Sequence, residues 1–452
     1  MSFPTSIAAF AQLVKSVDPV VAYGMFTKGA QALFGLINLL FITHFFSSEM
    51  QGYYYAFSSL LALQVFAELG LYLVIISLAS HEWSRLELDA SGRVIGDSAS
   101  KSRLSCLVIF VLRWYSVISV VFLIAAGSAG FYFLSQSGSS AVNWKVPWIV
   151  AVILASVQLW LMPFLSVVEG CNQLERLNRF RFKQAMIEGV ATWILFLSGV
   201  GLWVMVGSLV VRSTSTIYFL SFAFGRFFLS LYHTDRHERI SWKHTIWPMQ
   251  WRLSLQGVVN YFANSLFVPV MFHYHGSATA GQMGMTLQLV TTLHTLAIVW
   301  VQAKAPLFGI LISDGKFDEL DRVWKKSAIM AFTQSLVTSV GLFFAVLIVK
   351  DYQPEIGARL LDPLILGVFL IAHLLLQITN YQSYYLRAHA REPFLILGTV
   401  GASAIGIGVF LFGRYYGPMG VSLSYLSIVM LFIVPFSCYI MIKRKADWQQ
   451  RG

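Results

Sequence analysis
The sequence predicts an all-α polytopic membrane protein with about 12 transmembrane helices in two six-helix lobes. Three observations predict it. Composition is the first: 57% of the 452 residues are hydrophobic, only 12% are charged, and the mean hydropathy is +0.68. Soluble domains carry about 25% charged residues, and two or three water-soluble cores could not hide this much apolar surface. The second is length: apolar runs of about 20 residues, enough for a helix to cross a hydrocarbon core of roughly 30 Å, recur along the whole chain. The third is the placement of Lys and Arg between those runs.

The runs place spans near 22–44, 53–80, 112–134, 147–170, 185–206, 213–232, 252–273, 280–302, 327–349, 361–386, 394–413 and 418–442. Ahead of them, Met1 to Val17 lacks the anatomy of a signal peptide. Ile7, Phe10, Leu13 and Val14 share one helical face there, which predicts a short interfacial helix. The apolar block from Leu104 to Leu134 is too long for one untilted span. Its first part, with Lys101, Arg103 and Arg113, is expected to lie along the membrane surface before the chain turns inward. The spans 185–206 and 213–232 come from one apolar block, split only around Gly207 and Arg212.

Loop charges orient these spans. With the N-terminus inside, the cytoplasmic segments hold 23 Lys and Arg. The outer ones hold five: Lys145, Arg212, Lys350, Arg359 and Arg414. Basic residues collect on the cytoplasmic side of membrane proteins, so both termini are expected in the cytoplasm. The net charge of +11 then belongs to loops that meet anionic membrane lipids. No nucleic-acid partner is needed to explain it. Cys106, Cys171 and Cys438, an odd number near cytoplasmic edges, argue against a disulfide framework. No metal-ligand spacing, P-loop or nucleophile motif occurs, so neither a cofactor nor an enzyme activity is expected.

The sequence contains a hint of duplication. His44 to Gly52 reads HFFSSEMQG and His273 to Gly281 reads HYHGSATAG, each closing the first span of a six-span half and opening the second. Six spans preserve orientation, so the repeats would be parallel. The expected organisation is an N-terminal lobe over 1–232, a cytoplasmic connector over 233–251 and a C-terminal lobe over 252–452.

Polar groups at membrane depth are the candidates for function, because a charge at the helix centre costs roughly 2.5–3.5 kcal/mol on insertion scales. Glu68 is mid-span, near Gln64. It is read as a protonatable or cation-binding carboxylate, and a hydrogen-bonded structural glutamate satisfies the same argument. In the seventh span Arg252, Gln256, Asn260 and Asn264 recur every four residues, forming one stripe. Four polar positions exceed what helix adhesion needs, so the stripe is read as cavity lining. His373, Gln377, Asn380 and Tyr384 share a face of the tenth span, and the eighth adds Gln288, Thr291, His294 and Thr295. Lys28 and Gln31 lie one turn apart in the first span. Lys28 and Arg252 either snorkel to the interface or flank a cavity and attract phosphate. Glu169, Glu188, Arg113 and Arg226 are read as anchors near cytoplasmic ends. Tyr381, Tyr384 and Tyr385 are read as part of an interfacial aromatic belt.

Three segments carry a family resemblance. They are Gly52-Tyr53-Tyr54-Tyr55 continuing to Gly70, EGCNQLERLNRF after the fourth span, and KAPLFGILISDGKFDEL before the ninth. With the layout of the whole chain, they resemble the polysaccharide (O-antigen, Wzx-type) flippases of the multidrug/oligosaccharidyl-lipid/polysaccharide exporter superfamily. The resemblance implies two lobes around a central cavity in a bacterial inner membrane. It implies alternating access that carries a lipid-linked oligosaccharide to the outer leaflet, with cavity cations meeting the diphosphate and a proton or sodium ion as possible coupling partner. Lys28 and Arg252 occupy suitable places. The alternative is an ion-coupled small-solute or multidrug exporter. The loop at 81–103 lacks the signature of the major-facilitator type. A polysaccharide polymerase or ligase would be expected to carry a large outer loop, and the outer segments here are all short.

Overall fold
The computed structural model describes residues 19–68, 70–136, 142–234, 247–389 and 392–449. The interfacial helix expected over Met1 to Val17 and most of the 233–251 connector lie outside the described residues.

Eight helical stretches are long and apolar enough to cross a membrane, or nine if the bent pair Ser48–Glu68 and Leu71–Trp83 is one span. Two of the eight, Gly257–Ser313 and Leu395–Lys445, run for 57 and 51 residues, about twice what one crossing needs. Each is interrupted by a glycine in a backbone conformation closed to other residues: Gly276 at φ 86° and Gly417 at φ 60°. The chain reverses at both. A Cβ on Gly413 would touch Val421 at 2.9 Å, one on Gly408 would touch Ile428 at 3.1 Å, and one on Gly401 would touch Ile433 at 3.0 Å. Separations that widen steadily about residue 417 are those of an antiparallel helical hairpin. Around Gly276, the Phe267 ring lies 5.7 Å from that of Tyr425, and His294 approaches the same tyrosine through His373, at 5.6 and 5.3 Å. One straight helix would hold residues 267 and 294 about 40 Å apart. The last column is the Leu174–Leu197 helix, whose basic first half lowers its hydropathy. Among the described residues the helices therefore form twelve columns, the expected number.

Four details differ from expectation. The block 185–232 is divided at Ser198–Leu202, where Gly199 and Gly201 both take positive φ, rather than at Gly207 and Arg212. Gly207 instead lies within the Trp203–Tyr232 helix, where a Cβ would meet Leu195 at 2.2 Å. Arg212 is thus no loop residue. It bonds Glu188, which sits inside the Leu174–Leu197 helix. Second, Ser98–Ser135 is one continuous helix, with no surface segment that then turns inward. Nothing from Ser98 to Ala126 is Gly or Pro, so no residue there favours a break. Third, the second span is bent by 47° between Ser48–Glu68 and Leu71–Trp83, with Gly70 at φ 65°. Fourth, Tyr381 and Tyr385 are core residues, only 3% and 1% exposed, packed beneath the Phe317–Tyr352 helix. Their polar tips are satisfied there, Tyr385 Oη donating to Asp321 at 2.9 Å and Tyr381 Oη meeting Ser335.

The chain divides into two compact units. The described residues within Met1–Phe41, Gln64–Phe131 and Asn143–Ser254 form one; those within Ile42–Leu63, Tyr132–Val142 and Leu255–Gly452 form the other. In the first, charged pairs tie successive helices together: Glu82 to Arg103 at 2.9 Å, Glu169 to Arg181 at 2.8 Å and Glu188 to Arg212 at 2.6 Å. The loop after Trp83 forms a small hairpin, Leu86–Leu88 antiparallel to Val94–Gly96, and Asp97 caps the next helix through the Ser100 amide at 2.8 Å. Asp89 closes the hairpin turn by accepting from the Ser91 and Arg93 amides at 2.9 and 2.8 Å.

In the second unit the Ser48–Leu61 helix packs on the Phe267–Gln302 helix through the two sequence-repeat segments themselves. A Cβ on Gly52 would lie 1.9 Å from the Ser277 carbonyl oxygen, and one on Gly281 would lie 2.9 Å from the Gly52 nitrogen. Small residues let membrane helices approach until their backbones touch. A polar clasp closes this crossing. Gln51 Nε2 donates to the carbonyls of Gly281 and Arg359 at 2.8 and 3.1 Å, and Arg359 donates to the Phe46 carbonyl at 2.6 Å.

Candidate functional site
The expected site residues divide between the units. Lys28, Gln31 and Glu68 belong to the first, and Asn264, His294, His373, Gln377 and Asn380 to the second. The side chains of Arg252, Gln256 and Asn260 lie outside the described residues. Lys28 and Gln31 are exposed on the Pro19–Phe45 helix, three residues apart and so on one face. Glu68 is half-buried at the end of the short Gln64–Glu68 helix, with Tyr72 and Tyr115 as electrostatic neighbours. Asn264 is exposed at the end of the Trp247–Asn264 helix, and Asn380 is half-buried.

The structure brings His294 and His373 together. Their rings lie 5.6 Å apart at 41°, and the other edge of His373 meets the Tyr425 ring at 5.3 Å. Phe267 and Phe369 close the aromatic surround. Each histidine is fixed by its own helix: His294 Nδ1 lies 2.7 Å from the Val290 carbonyl and His373 Nδ1 lies 3.0 Å from the Phe369 carbonyl. A carbonyl only accepts, so Nδ1 carries the proton in both rings, and in the neutral tautomer Nε2 presents its lone pair. His294 is 2% exposed, and its Nε2 has no hydrogen-bond partner among the described residues. One turn beyond His373 on the same face, Gln377 is buried and its Oε1 is likewise unanswered. An unanswered buried polar atom costs about 1–3 kcal/mol. Two such atoms, each within one residue's reach of His373, make places for a proton, a small cation or a donating solute.

Two features were not legible beforehand. Gln288, read as cavity lining, accepts from Tyr55 Oη at 2.8 Å, so it ties two helices together. Tyr425 is accompanied in its span mainly by serines and carries no polar stripe, and its contact with His373 is what gives it a place in the site.

No protein-family model matches the chain, and no characterised protein matches it in sequence. Solved structures do match in fold. An inward-facing multidrug resistance MATE family transporter of the MOP superfamily superposes with a TM-score of 0.63 at 14% identity, over 93% of this chain and 99% of that one. Lipid II flippase MurJ, in an inward closed conformation, gives 0.61 at 14% identity over 95% and 90%. An outward-facing MATE family transporter gives 0.52 at 13% identity over 97% and 98%. The chain has the fold that these proteins share. It is the all-α polytopic membrane fold that the apolar runs predict.

Proposed function
We propose that the protein is an alternating-access transporter whose cargo is a lipid-linked oligosaccharide of the undecaprenyl-diphosphate type. It moves that cargo from the inner to the outer leaflet of a bacterial inner membrane for surface polysaccharide synthesis, with both termini in the cytoplasm. The observation that carries the transport reading is that His294 Nε2 and Gln377 Oε1, both buried in the second unit, stand unanswered among apolar membrane helices. Buried polar atoms are normally paired, and a transported ion or solute is a partner that would answer these. The fold supports the same reading, since it serves a lipid flippase and multidrug transporters in both inward- and outward-facing conformations. Lys28 and Arg252 are the groups assigned to the cargo diphosphate. Glu68 and the His294–His373 pair are assigned to the coupling ion.

A second reading, an ion-coupled exporter of small solutes, draws on the MATE likeness. Deletion in the host separates the two. Loss of surface polysaccharide with lipid-linked intermediates held in the inner leaflet is the expected result. Normal polysaccharide and no accumulated intermediate would reject the cargo. Lys28→Ala with Arg252→Ala is expected to abolish complementation at unchanged membrane abundance, and Glu68→Gln to uncouple transport from the ion gradient.

A further inference from the structure
A second polar feature lies in the first unit, lined by none of the residues assigned to transport. The Leu86–Leu88/Val94–Gly96 hairpin, the start of the Ser98–Ser135 helix and the end of the Trp203–Tyr232 helix border an open cavity of about 880 Å³. Arg93, Lys101 and Arg226 line it, one from each element or its flank. Among the described residues none of the three makes an ion pair. The single carboxylate in the lining, Asp89, is occupied by the Ser91 and Arg93 amides and the Ser91 hydroxyl. Arg226 uses one guanidinium N–H on the Ser91 carbonyl at 3.3 Å, which fixes the group at the cavity wall and leaves its other donors available. The hairpin is itself docked, the Val94 amide donating to Ser230 Oγ at 3.1 Å.

Three like charges around one cavity repel one another unless an anion or water stands between them. The rim narrows the choice. Ile95 and Leu229 are 41% and 58% exposed beside these cations. Cationic walls with an apolar rim, at the end of a membrane helix, match a ligand that is both phosphate and hydrocarbon.

We propose that this cavity binds a phosphate-bearing anion, and that the source is the headgroup of an anionic membrane phospholipid. Arg93, Lys101 and Arg226 hold the phosphate; Ile95 and Leu229 meet the acyl chains. The full-length protein in nanodiscs tests it, with native mass spectrometry reading retained lipid. Wild type is expected to keep phosphatidylglycerol over phosphatidylcholine. Each cation removed should weaken retention about fivefold, so Arg93→Gln with Arg226→Gln should weaken it about 30-fold, and Lys325→Gln, exposed in the other unit, should leave it unchanged. Lys101→Gln alone, expected near fivefold, serves if the double variant melts early. Equal retention by the double variant, or of the zwitterionic lipid, overturns the proposal. Inorganic phosphate that binds with the same residue dependence while lipid does not would keep the phosphate site and reject the lipid source.

Discussion

The two units place different polar groups at the centre of their packing. In the first, carboxylates and guanidinium groups on successive helices answer one another directly, as Glu188 and Arg212 do at 2.6 Å. In the second, Lys445 pairs with Asp321 as well, but two buried atoms around the histidine pair, His294 Nε2 and Gln377 Oε1, are left open. An ion pair commits two helices to one geometry. An unanswered lone pair keeps a position available for something that arrives and leaves. The difference gives the first unit's ion pairs a holding role and the second unit's open atoms an exchanging one.

Substitutions can break or sharpen this contrast. Where the second unit's helices meet backbone to backbone, its greatest sensitivity is at Gly52. Gly52→Ala drives a methyl into the Ser277 backbone, and a loss of about 3 kcal/mol is expected in detergent unfolding. Wild-type stability would show that the two helices can part at little cost. Next is Glu188→Gln, which strands the half-exposed Arg212 at membrane depth. About 2 kcal/mol should be lost, and adding Arg212→Gln should restore most of it. Absence of that rescue would reduce the pair to coincidence. The third effect has the opposite sign. His294→Phe keeps the ring beside His373 but removes the open Nε2, so stability should hold or rise by about 1 kcal/mol while transport falls. A clear loss of stability would make the histidine structural.

The smallest effect is local and depends on pH. Hydrogen bonds from the Arg93 amide to Asp89, and from the Ser100 amide to Asp97, hold both carboxyls below the usual aspartate range. A depressed carboxyl contributes order that is fully present above its unfolded value and is lost as pH falls through the folded one. Amide exchange at Ser91, Arg93 and Ser100 should therefore lose protection only below about pH 4, the ordinary range for aspartate. In Asp89→Asn with Asp97→Asn the protection should no longer change with pH.

Some of this was legible in the sequence. The number of columns followed from apolar length, because lipid imposes that length on any helix that crosses it. The repeat HFFSSEMQG and HYHGSATAG marked the closest backbone approach in the second unit. The polar faces of the eighth and tenth spans pointed at each other, as the meeting of His294 and His373 shows. The partner of a charge was not legible. Arg212 looked like a loop residue because Gly207 was taken as the turn, when Gly199 and Gly201 make it. A glycine in a turn and a glycine against a leucine look alike until φ is known. Tyr381 and Tyr385 were misplaced for a related reason. An aromatic with a polar tip suits an interface and a core equally well, and Asp321 and Ser335, which decide between them, lie 64 and 46 residues away.

The polar clasp at Gln51 also sets a timetable. Its acceptors, Gly281 and Arg359, lie 230 and 308 residues further along the chain. At about 5–20 residues per second of synthesis, the ribosome needs roughly 12–60 s to deliver them after Gln51 has emerged. Through that interval the Ser48–Leu61 helix has entered the bilayer without the helix it packs on, and Gln51 has only water, lipid headgroups or an insertion factor to satisfy it. The second unit is therefore begun early in translation and completed near its end. The first unit, whose ion pairs span 12 to 24 residues, can assemble as it is made.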